Sequence, residues 1–530
     1  MKSFLRVGAA ALAVFGAAAY SNAGKKDPVA AVTGGKIRGA LLPAPGGAVF
    51  KGIPFVQPPL GDLRWREPAP VRPWQGVRDA LAFGPSCIQN NAQWNAQEYV
   101  GNQEDCLHLN VWTPEWPVKK KRPVMFFIHG GGNTTGGSSV DYLDGASLVR
   151  RGVVLVSTNY RLGVFGFFAH PELTRESSRK ASGNYGLMDQ IEALKWVRNN
   201  IAKFGGDPAN VTVFGHSAGS MNIGMLMASP LAKGLFHRAI QQSGTIVGFY
   251  PPRTLADSEE GGRKLAEKLN APAEGAIAHL RRMPGHDLQK AVFPPNPAAG
   301  VSSRGMAVGP NIDGWVLPRP AAEAFAAGQQ HRVALMIGVA AREMGGASSP
   351  DALRKMIQDA YGDLAPKALA LYGLAEPGSK GNDDPLYGSA GAQWGADVGF
   401  RCGSVLEAEY QVAAGLAAYQ YQFDRAIPGR AATAHAAELP YVFGNLLPAG
   451  FVGGPFGPDD RKISDQMQLY WTNFAKTGDP NGDGVPKWPP FDPKVRAFVE
   501  FTDNGPVAGE GLRRDFCDVF IEAAKRRLKK

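Results

Sequence analysis

A serine hydroxyl attacks a carbonyl only when a base takes its proton, an acid orients that base, and N–H donors meet the charge that develops on the attacked oxygen. This chain offers candidates for each part. Gly215, His216, Ser217, Ala218 and Gly219 form the pattern Gly-x-Ser-x-Gly. The preceding Val211-Thr212-Val213-Phe214 is mostly β-branched and reads as a short buried strand, and Ser220 to Ala228 reads as a helix. Strand, tight turn and helix is the setting that lifts a serine out of a sheet. The two glycines permit the sharp turn. The Ala218 N–H falls at a helix N-terminus, where a donor has no partner within the helix.

A glycine loop, His129-Gly130-Gly131-Gly132, follows the apolar run Pro123–Ile128. Bare N–H groups there, with that of Ala218, make a three-donor pocket for an oxyanion. With chain order serine, acid, histidine, the base lies after Ser217: His237, His279, His286, His331 or His435. His435 alone lies in the last third, in a loop after a strand at Ala418–Phe423, and the other four are poorly placed. The acid is to follow a strand between Ser217 and His435. Glu343, five residues past a strand at Val333–Gly338, fits that position, with Asp313 and Glu323 as rivals.

These residues need a sheet to hold them. Leu107–Trp112 alternates as a strand, and Pro123–Ile128 and Val153–Ser157 are continuous apolar runs typical of buried parallel strands. Leu187, Ile191, Leu194, Val197 and Ile201 form one stripe of a helix that Gly205-Gly206-Asp207-Pro208 stops. Another strand is expected at Ala497–Phe501, and residues 29–56 read as a hairpin region. Strand, helix, strand in this order predicts an α/β fold, a mainly parallel sheet with helices on both faces. The stretch from about 251 to 375 is helical and alanine-rich and is expected to cap the sheet's C-terminal edge within one domain spanning 24–530.

Residues 1–23 read as a secretory signal: Lys2 and Arg6, an apolar run from Val7 to Tyr20, and small residues at Ser21 and Ala23. The run is shorter than the ~20 residues a membrane span needs, and no other stretch is long enough, so a secreted or periplasmic location is expected with no integral span after cleavage. Much of the net charge of +10 sits in that segment and in Lys525, Arg526, Arg527, Lys529 and Lys530, a tail that reads as a solvated helix end. Nothing argues for nucleic acid. Four cysteines in an exported chain suggest two disulfides, with three pairings open. Cys87–Cys106 is the local one, stapling a polar, turn-rich loop, and leaves Cys402–Cys517 to tie distant segments. The cysteines are not grouped as zinc ligands are, and the chemistry calls for no metal or organic cofactor.

Across most of its length the chain resembles the type-B carboxylesterases, the cholinesterase-like branch of the α/β-hydrolases. The resemblance rests on Gly52-Ile53-Pro54-Phe55, Pro58 to Arg64, Glu104 to Val111, His129 to Gly132, Asn159 to Phe167, Gly183 to Gln190, Phe204 to Pro208, the serine turn, Asp313-Gly314, Gly338 to Glu343, His435 to Gly444 and Trp471 to Asn481. It implies an α/β-hydrolase fold and an exported serine esterase acting on small-molecule carboxylic esters through an acyl-enzyme. It implies Ser217 as nucleophile, His435 as base, Glu343 as acid, and Gly131, Gly132 and Ala218 as oxyanion donors. It further implies the Cys87–Cys106 bridge, agrees with Cys402–Cys517, and suggests buried ion pairs Arg64–Glu104 and Arg161–Asp189.

Three positions depart from the family pattern. His216 stands where a glutamate usually precedes the nucleophile, and Asn133 stands where an aromatic often follows the glycines. Met344 replaces a preferred glycine. His216 bears on pH dependence or substrate charge; Asn133 opens the acyl side of the pocket or binds a substrate hydroxyl. Trp94, in the Cys87–Cys106 loop, is expected to anchor that loop. Aryl, feruloyl and polyester esters or an amide remain open as substrates, as does oligomeric state. A non-catalytic binding protein on the same scaffold is disfavoured because every triad member is kept.

Overall fold

The computed structural model describes residues 27–528 except 44–45, 248–252, 294–307, 348, 427 and 448–454. The expected signal segment lies outside the described residues. The centre is an 11-stranded sheet. Its strands are β1 (Ala40–Leu41), β2 (Ala48–Pro54), β3 (His108–Thr113), β4 (Arg122–Ile128), β5 (Val154–Thr158), β6 (Gly206–His216), β7 (Arg238–Gln242), β8 (Ala334–Ala340), β9 (Ala418–Phe423), β10 (Ala497–Thr502) and β11 (Gly505–Glu510). Their spatial order is β11-β10-β9-β8-β7-β6-β4-β5-β3-β2-β1. From β5 to β10 neighbours run parallel, while β1, β2, β3 and β11 pair antiparallel at the edges. The expected N-terminal hairpin is Val29–Val32 with Gly35–Arg38.

Both faces of the parallel block are buried, so β4 and β5 are apolar almost throughout rather than alternating, while β7 and β9 bury glutamines among their apolar residues. On β4, Val124, Phe126 and Ile128 join one core, while Met125 and Phe127 join the other. The two-residue period of the strand sends neighbours to opposite faces. The first core is closed by helix α1 (Tyr185–Asn200), whose Leu187, Ile191, Leu194 and Val197 are buried. Helices α2 (Ala218–Ala228), α3 (Cys402–Ala413) and α6 (Arg514–Arg527) pack on the same side, through Ile223, Val405, Leu406 and Phe520. The second core is closed by α4 (Leu439–Phe443) and α5 (Pro458–Thr477), where Trp471 and Trp488 pack against Tyr421 and Phe501.

Helices at Leu255–Lys268, Ala276–Arg282, Gly285–Val292, Ala321–Ala326, Pro350–Tyr361 and Ala365–Leu371 lie in the stretch read as helical, which among the described residues also holds β8 and irregular segments. The first of these packs against the segment after β5: a Cβ on Gly262 would lie 1.8 Å from the Ala169 carbonyl oxygen. The Arg64–Glu104 pair (2.5 Å) and the Arg161–Asp189 pair (2.7 Å) are both formed and buried. Arg64 also donates to the carbonyls of Leu280 and Met283, which fastens these helices to the loop after β2.

Disulfides join Cys87 to Cys106 and Cys402 to Cys517. The C-terminal helix is not simply a solvated end. Phe520, Ile521 and Ala524 are buried, Lys525 pairs with Glu409, and Arg526 pairs with Asp363 and Glu522. Among the described residues no helix is long and apolar enough to cross a membrane.

Candidate active site

Strand β6 delivers Ser217 to the C-terminal edge of the sheet, between β4 and β7. Ser217 has φ 55° and ψ −123°, a conformation a non-glycine residue adopts only under constraint. The flanking glycines supply the constraint. A Cβ at Gly219 would sit 2.1 Å from the Ile128 carbonyl oxygen, and one at Gly215 would sit 2.7 Å from it. The backbone of β4 thus presses against the turn on both sides of the serine. Ser217 N donates to Gln242 O at 2.8 Å, and α2 starts at Ala218, whose N–H has no acceptor within the helix.

Strand β8 runs two residues further than its apolar pattern suggested, to Ala340, so Glu343 follows it almost directly. Its carboxylate is fully buried. Oε1 accepts from Ala340 N at 2.7 Å, and Oε2 lies 2.5 Å from Nδ1 of His435, which comes from the loop after β9. Nε2 of His435 is buried and has no hydrogen-bond partner among the described residues. The imidazole is clamped between two rings: His216 at 4.5 Å and Phe400 at 5.1 Å between centroids.

Phe400 belongs to a π-helical turn, Asp397–Arg401, that leads into α3. Arg401, fully buried, donates to Ala341 O at 2.6 Å, two residues before Glu343, and pairs with Asp397. Asp397 also takes Arg513 (2.9 Å) and the Tyr372 hydroxyl (3.0 Å). This cluster fixes the acid's loop and the ring beside His435, and the Cys402–Cys517 bridge adjoins it.

The glycine loop leaves β4 with Gly131 at φ 103°, Gly132 at 63° and Asn133 at 58°. Thr134 N and Thr135 N both donate to Gly131 O at 3.0 Å and hold it as a tight turn. Asn133 does not face an open pocket. Its amide forms a reciprocal pair with Asn222 on α2, at 3.1 and 2.9 Å, and its Oδ1 also accepts from the Tyr160 hydroxyl at 3.1 Å. The glycine loop and the serine's helix are therefore bolted together. His129 is stacked on Tyr160, and burial pushes it down to about 4, so it is neutral.

The rivals are not brought to this place. Oδ1 of Asp313 accepts from Trp315 N and Leu317 N, and Glu323 is exposed. His237 accepts from Val211 N, in the middle of β6 and six residues before Ser217. Trp94 is half-buried, and Met344 is 55% exposed. Sequence reasoning missed Asn222 and Tyr160, which bond the glycine loop, and Glu438, a fully buried carboxylate one turn beyond His435. The signal for Glu438 was its spacing from His435 at a helix start, which does not separate it from a surface acid. Among the described residues no cluster of three or more His, Cys, Asp or Glu side chains is arranged to hold a metal ion. A hydroxyl on a strained turn, an imidazole bonded to a buried carboxylate, and a glycine loop beside a helix N-terminus are the parts acyl transfer requires.

Comparison with known proteins points the same way. A model of the carboxylesterase family matches residues 26–520. The chain is 37% identical to a fumonisin B1 esterase of Sphingopyxis macrogoltabida over 87% of its own length and 84% of the relative's. It is 34% identical to liver carboxylesterase 1F of Rattus norvegicus, covering 88% and 89% of the two chains. Among solved structures it superposes on the Geobacillus stearothermophilus carboxylesterase EST55 with a TM-score of 0.77 at 31% identity, covering 93% of this chain and 99% of that one. A PNB esterase gives 0.80 at 32% identity with the same coverage.

Proposed function

The chain belongs to the carboxylesterase family and is a carboxylic ester hydrolase with an α/β-hydrolase fold; from that premise we propose that it works through Ser217, His435 and Glu343. Ser217 Oγ attacks the ester carbonyl while Nε2 of His435 takes its proton. Glu343 holds the Nδ1–H tautomer and stabilises the imidazolium. The N–H groups of Gly131, Gly132 and Ala218 receive the oxyanion. The tetrahedral intermediate collapses as His435 protonates the leaving alcohol. Water, deprotonated by the same imidazole, then releases the acid and restores Ser217.

The observation that carries this reading is the 2.5 Å contact between His435 Nδ1 and a fully buried Glu343, with Nε2 of the same ring left open. A buried imidazole bonded on one nitrogen and open on the other is poised to accept one proton. The helices between about 251 and 375 form a cap belonging to the same domain, and residues 1–23 direct export and are then removed.

The test is hydrolysis by the mature protein beside Ser217→Ala. The panel runs from p-nitrophenyl acetate through longer acyl chains to a feruloyl ester, a thiocholine ester, an anilide and fumonisin B1, the last chosen because a relative bears that name. Turnover lost in the variant is expected. Turnover that survives Ser217→Ala overturns the assignment of the nucleophile. Export is tested by the N-terminus of the protein recovered outside the cytoplasm, expected at Gly24.

A further inference from the structure

Behind Ser217 lie two groups that the triad does not use. Glu438 is fully buried at the start of α4, and His216 is the residue before the serine. His216 Nε2 lies 3.8 Å from Glu438 Oε1, and neither Nε2 nor Glu438 Oε2 has another partner among the described residues. Among the described residues, the hydrogen bond onto the Glu438 carboxylate from a neighbouring element is a long one of 3.4 Å from Gln242, itself held by Trp471. On its other side the His216 ring lies 4.5 Å from His435.

A buried carboxylate with so few donors is costly when ionised. A second imidazolium beside His435 would oppose the charge that His435 acquires on taking the serine proton. Both costs fall if His216 stays neutral and turns its N–H to Glu438. Resting on the triad reading above, we propose that His216 and Glu438 act as one unit behind the triad. Neutral His216 directs Nε2–H at the Glu438 carboxylate across 3.8 Å, and that carboxylate stabilises His435 as an imidazolium in the transition state. Neither residue touches substrate; both are positioning residues acting through His435.

Burial and then the charge of Glu343 push Glu438 up to about 7, with His435 working the other way, so the unit holds its ionised form above that pH. His216 is driven well below its ordinary value by burial and by His435, so it is the neutral member. The remaining titratable neighbour is Tyr421 on β9, held well above its ordinary value by burial, Glu438 and Glu343, and so neutral as well. Strand β7 contributes Gln242 and α5 contributes Trp471, both uncharged; Asp460 of α5 is occupied by Arg425 and Tyr441. The charges that decide the behaviour are thus Glu343, Glu438 and whichever imidazole holds the moving proton.

The experiment is the pH profile of kcat/KM, with kcat and KM separated, for wild type, Glu438→Gln, His216→Gln and the double variant on p-nitrophenyl acetate. Glu438→Gln removes one nearby negative charge. The plateau of kcat is expected to fall about tenfold with KM unchanged, and the acid limb to move down by about one pH unit. A purely structural defect lowers the plateau without moving the limb. His216→Gln leaves Glu438 holding its proton to higher pH, so a second, more alkaline step is expected, and that step is absent from the double variant. A Glu438→Gln profile that superposes on wild type overturns the proposal, as does a His216→Gln step that persists without Glu438. If Glu438→Gln does not accumulate folded, His216→Gln decides alone: an unmoved profile overturns it. Ser217→Ala run alongside separates failure of this proposal from failure of the triad itself, since only the latter leaves that variant active.

Discussion

Glu343→Gln is the sharpest test of how the site holds its proton. Oε1 of Glu343 accepts from Ala340 N at 2.7 Å, and Oε2 lies 2.5 Å from His435 Nδ1. Glutamine has the same shape but one oxygen and one NH2. The Ala340 N–H can only face the oxygen, which leaves the NH2 against Nδ1. Two N–H groups cannot face each other, so His435 must carry its proton on Nε2, the nitrogen that has to receive the serine proton. The opposite flip sets the NH2 against a buried backbone N–H and forfeits a hydrogen bond, a cost of about 1–3 kcal/mol. Even then a neutral amide replaces the carboxylate that stabilises the imidazolium in the proposed mechanism. The change is expected to lower kcat by about 10³–10⁴, the size seen when the acid of another triad becomes an amide, with KM little altered. Stability is expected to hold within about 1 kcal/mol, because a buried charge is removed along with its bond. Initial rates on p-nitrophenyl acetate, with folded protein quantified by circular dichroism, decide it. Activity within tenfold of wild type refutes the reasoning, since Glu343 would then not govern which nitrogen carries the proton.

Asn133→Ala strands Asn222 and puts alanine at φ 58°, while the Tyr160 hydroxyl keeps the His129 carbonyl as acceptor; a loss of about 1–3 kcal/mol in urea unfolding and about a tenfold fall in kcat are expected. Asn133→Gly keeps the turn and isolates the amide's share; losses under 0.5 kcal/mol in both variants would show that the bolt is not structural. Glu407 is pushed up to about 7 by burial, so between about pH 4.5 and 7 the unfolded chain has released a proton that the fold retains. Stability therefore falls as pH rises through that window and stays lower above it. Glu407→Gln should remove about 3 kcal/mol of the decline between pH 5 and 8 in urea titrations, and an equal decline in both proteins contradicts this. Replacing Cys402 and Cys517 together by serine opens a loop of sequence separation 115 and should cost about 4–5 kcal/mol, read as a lower Tm under non-reducing conditions. An unchanged Tm would mean that the loop is already constrained in the unfolded chain.

The parts of the fold that were legible carry their instruction locally. Pro123–Ile128 and Val153–Ser157 are apolar on both faces, which a buried parallel strand requires, and they became β4 and β5. The Gly-x-Ser-x-Gly turn was readable because the crowding by the Ile128 carbonyl admits no side chain at Gly219. Strand β7 was not readable. Its Gln241 and Gln242 look like surface residues yet are fully buried, bonded to the Ser220 carbonyl and to Glu438 and Trp471. The edge strand β11, Gly505–Glu510, has no apolar alternation because half of it faces solvent. The basic residues of the C-terminal helix are exposed as read, but their partners Glu409 and Asp363, more than a hundred residues away, could not be read from the sequence. Asn133 allowed two readings, and Asn222, 89 residues on, takes its amide away from the pocket.

The buried charges divide by how fully they are bonded. Arg161 meets both carboxylate oxygens of Asp189 and adds a backbone N–H to one of them, while Nη1 donates to Arg66 O. Such a pair holds a loop and asks for nothing further, and breaking it would leave a buried charge uncompensated. Other buried acids, Glu98 and Glu407 among them, also hold an open oxygen, but around Ser217 such atoms gather: His435 Nε2, His216 Nε2 and Glu438 Oε2 are buried and open together. A scaffold gains nothing from open polar atoms in low dielectric, where each costs more than it would in water. Full satisfaction at Arg161 and shared openness beside the serine are what a proton in transit requires: rigid charges that never change partner, set around a few that must.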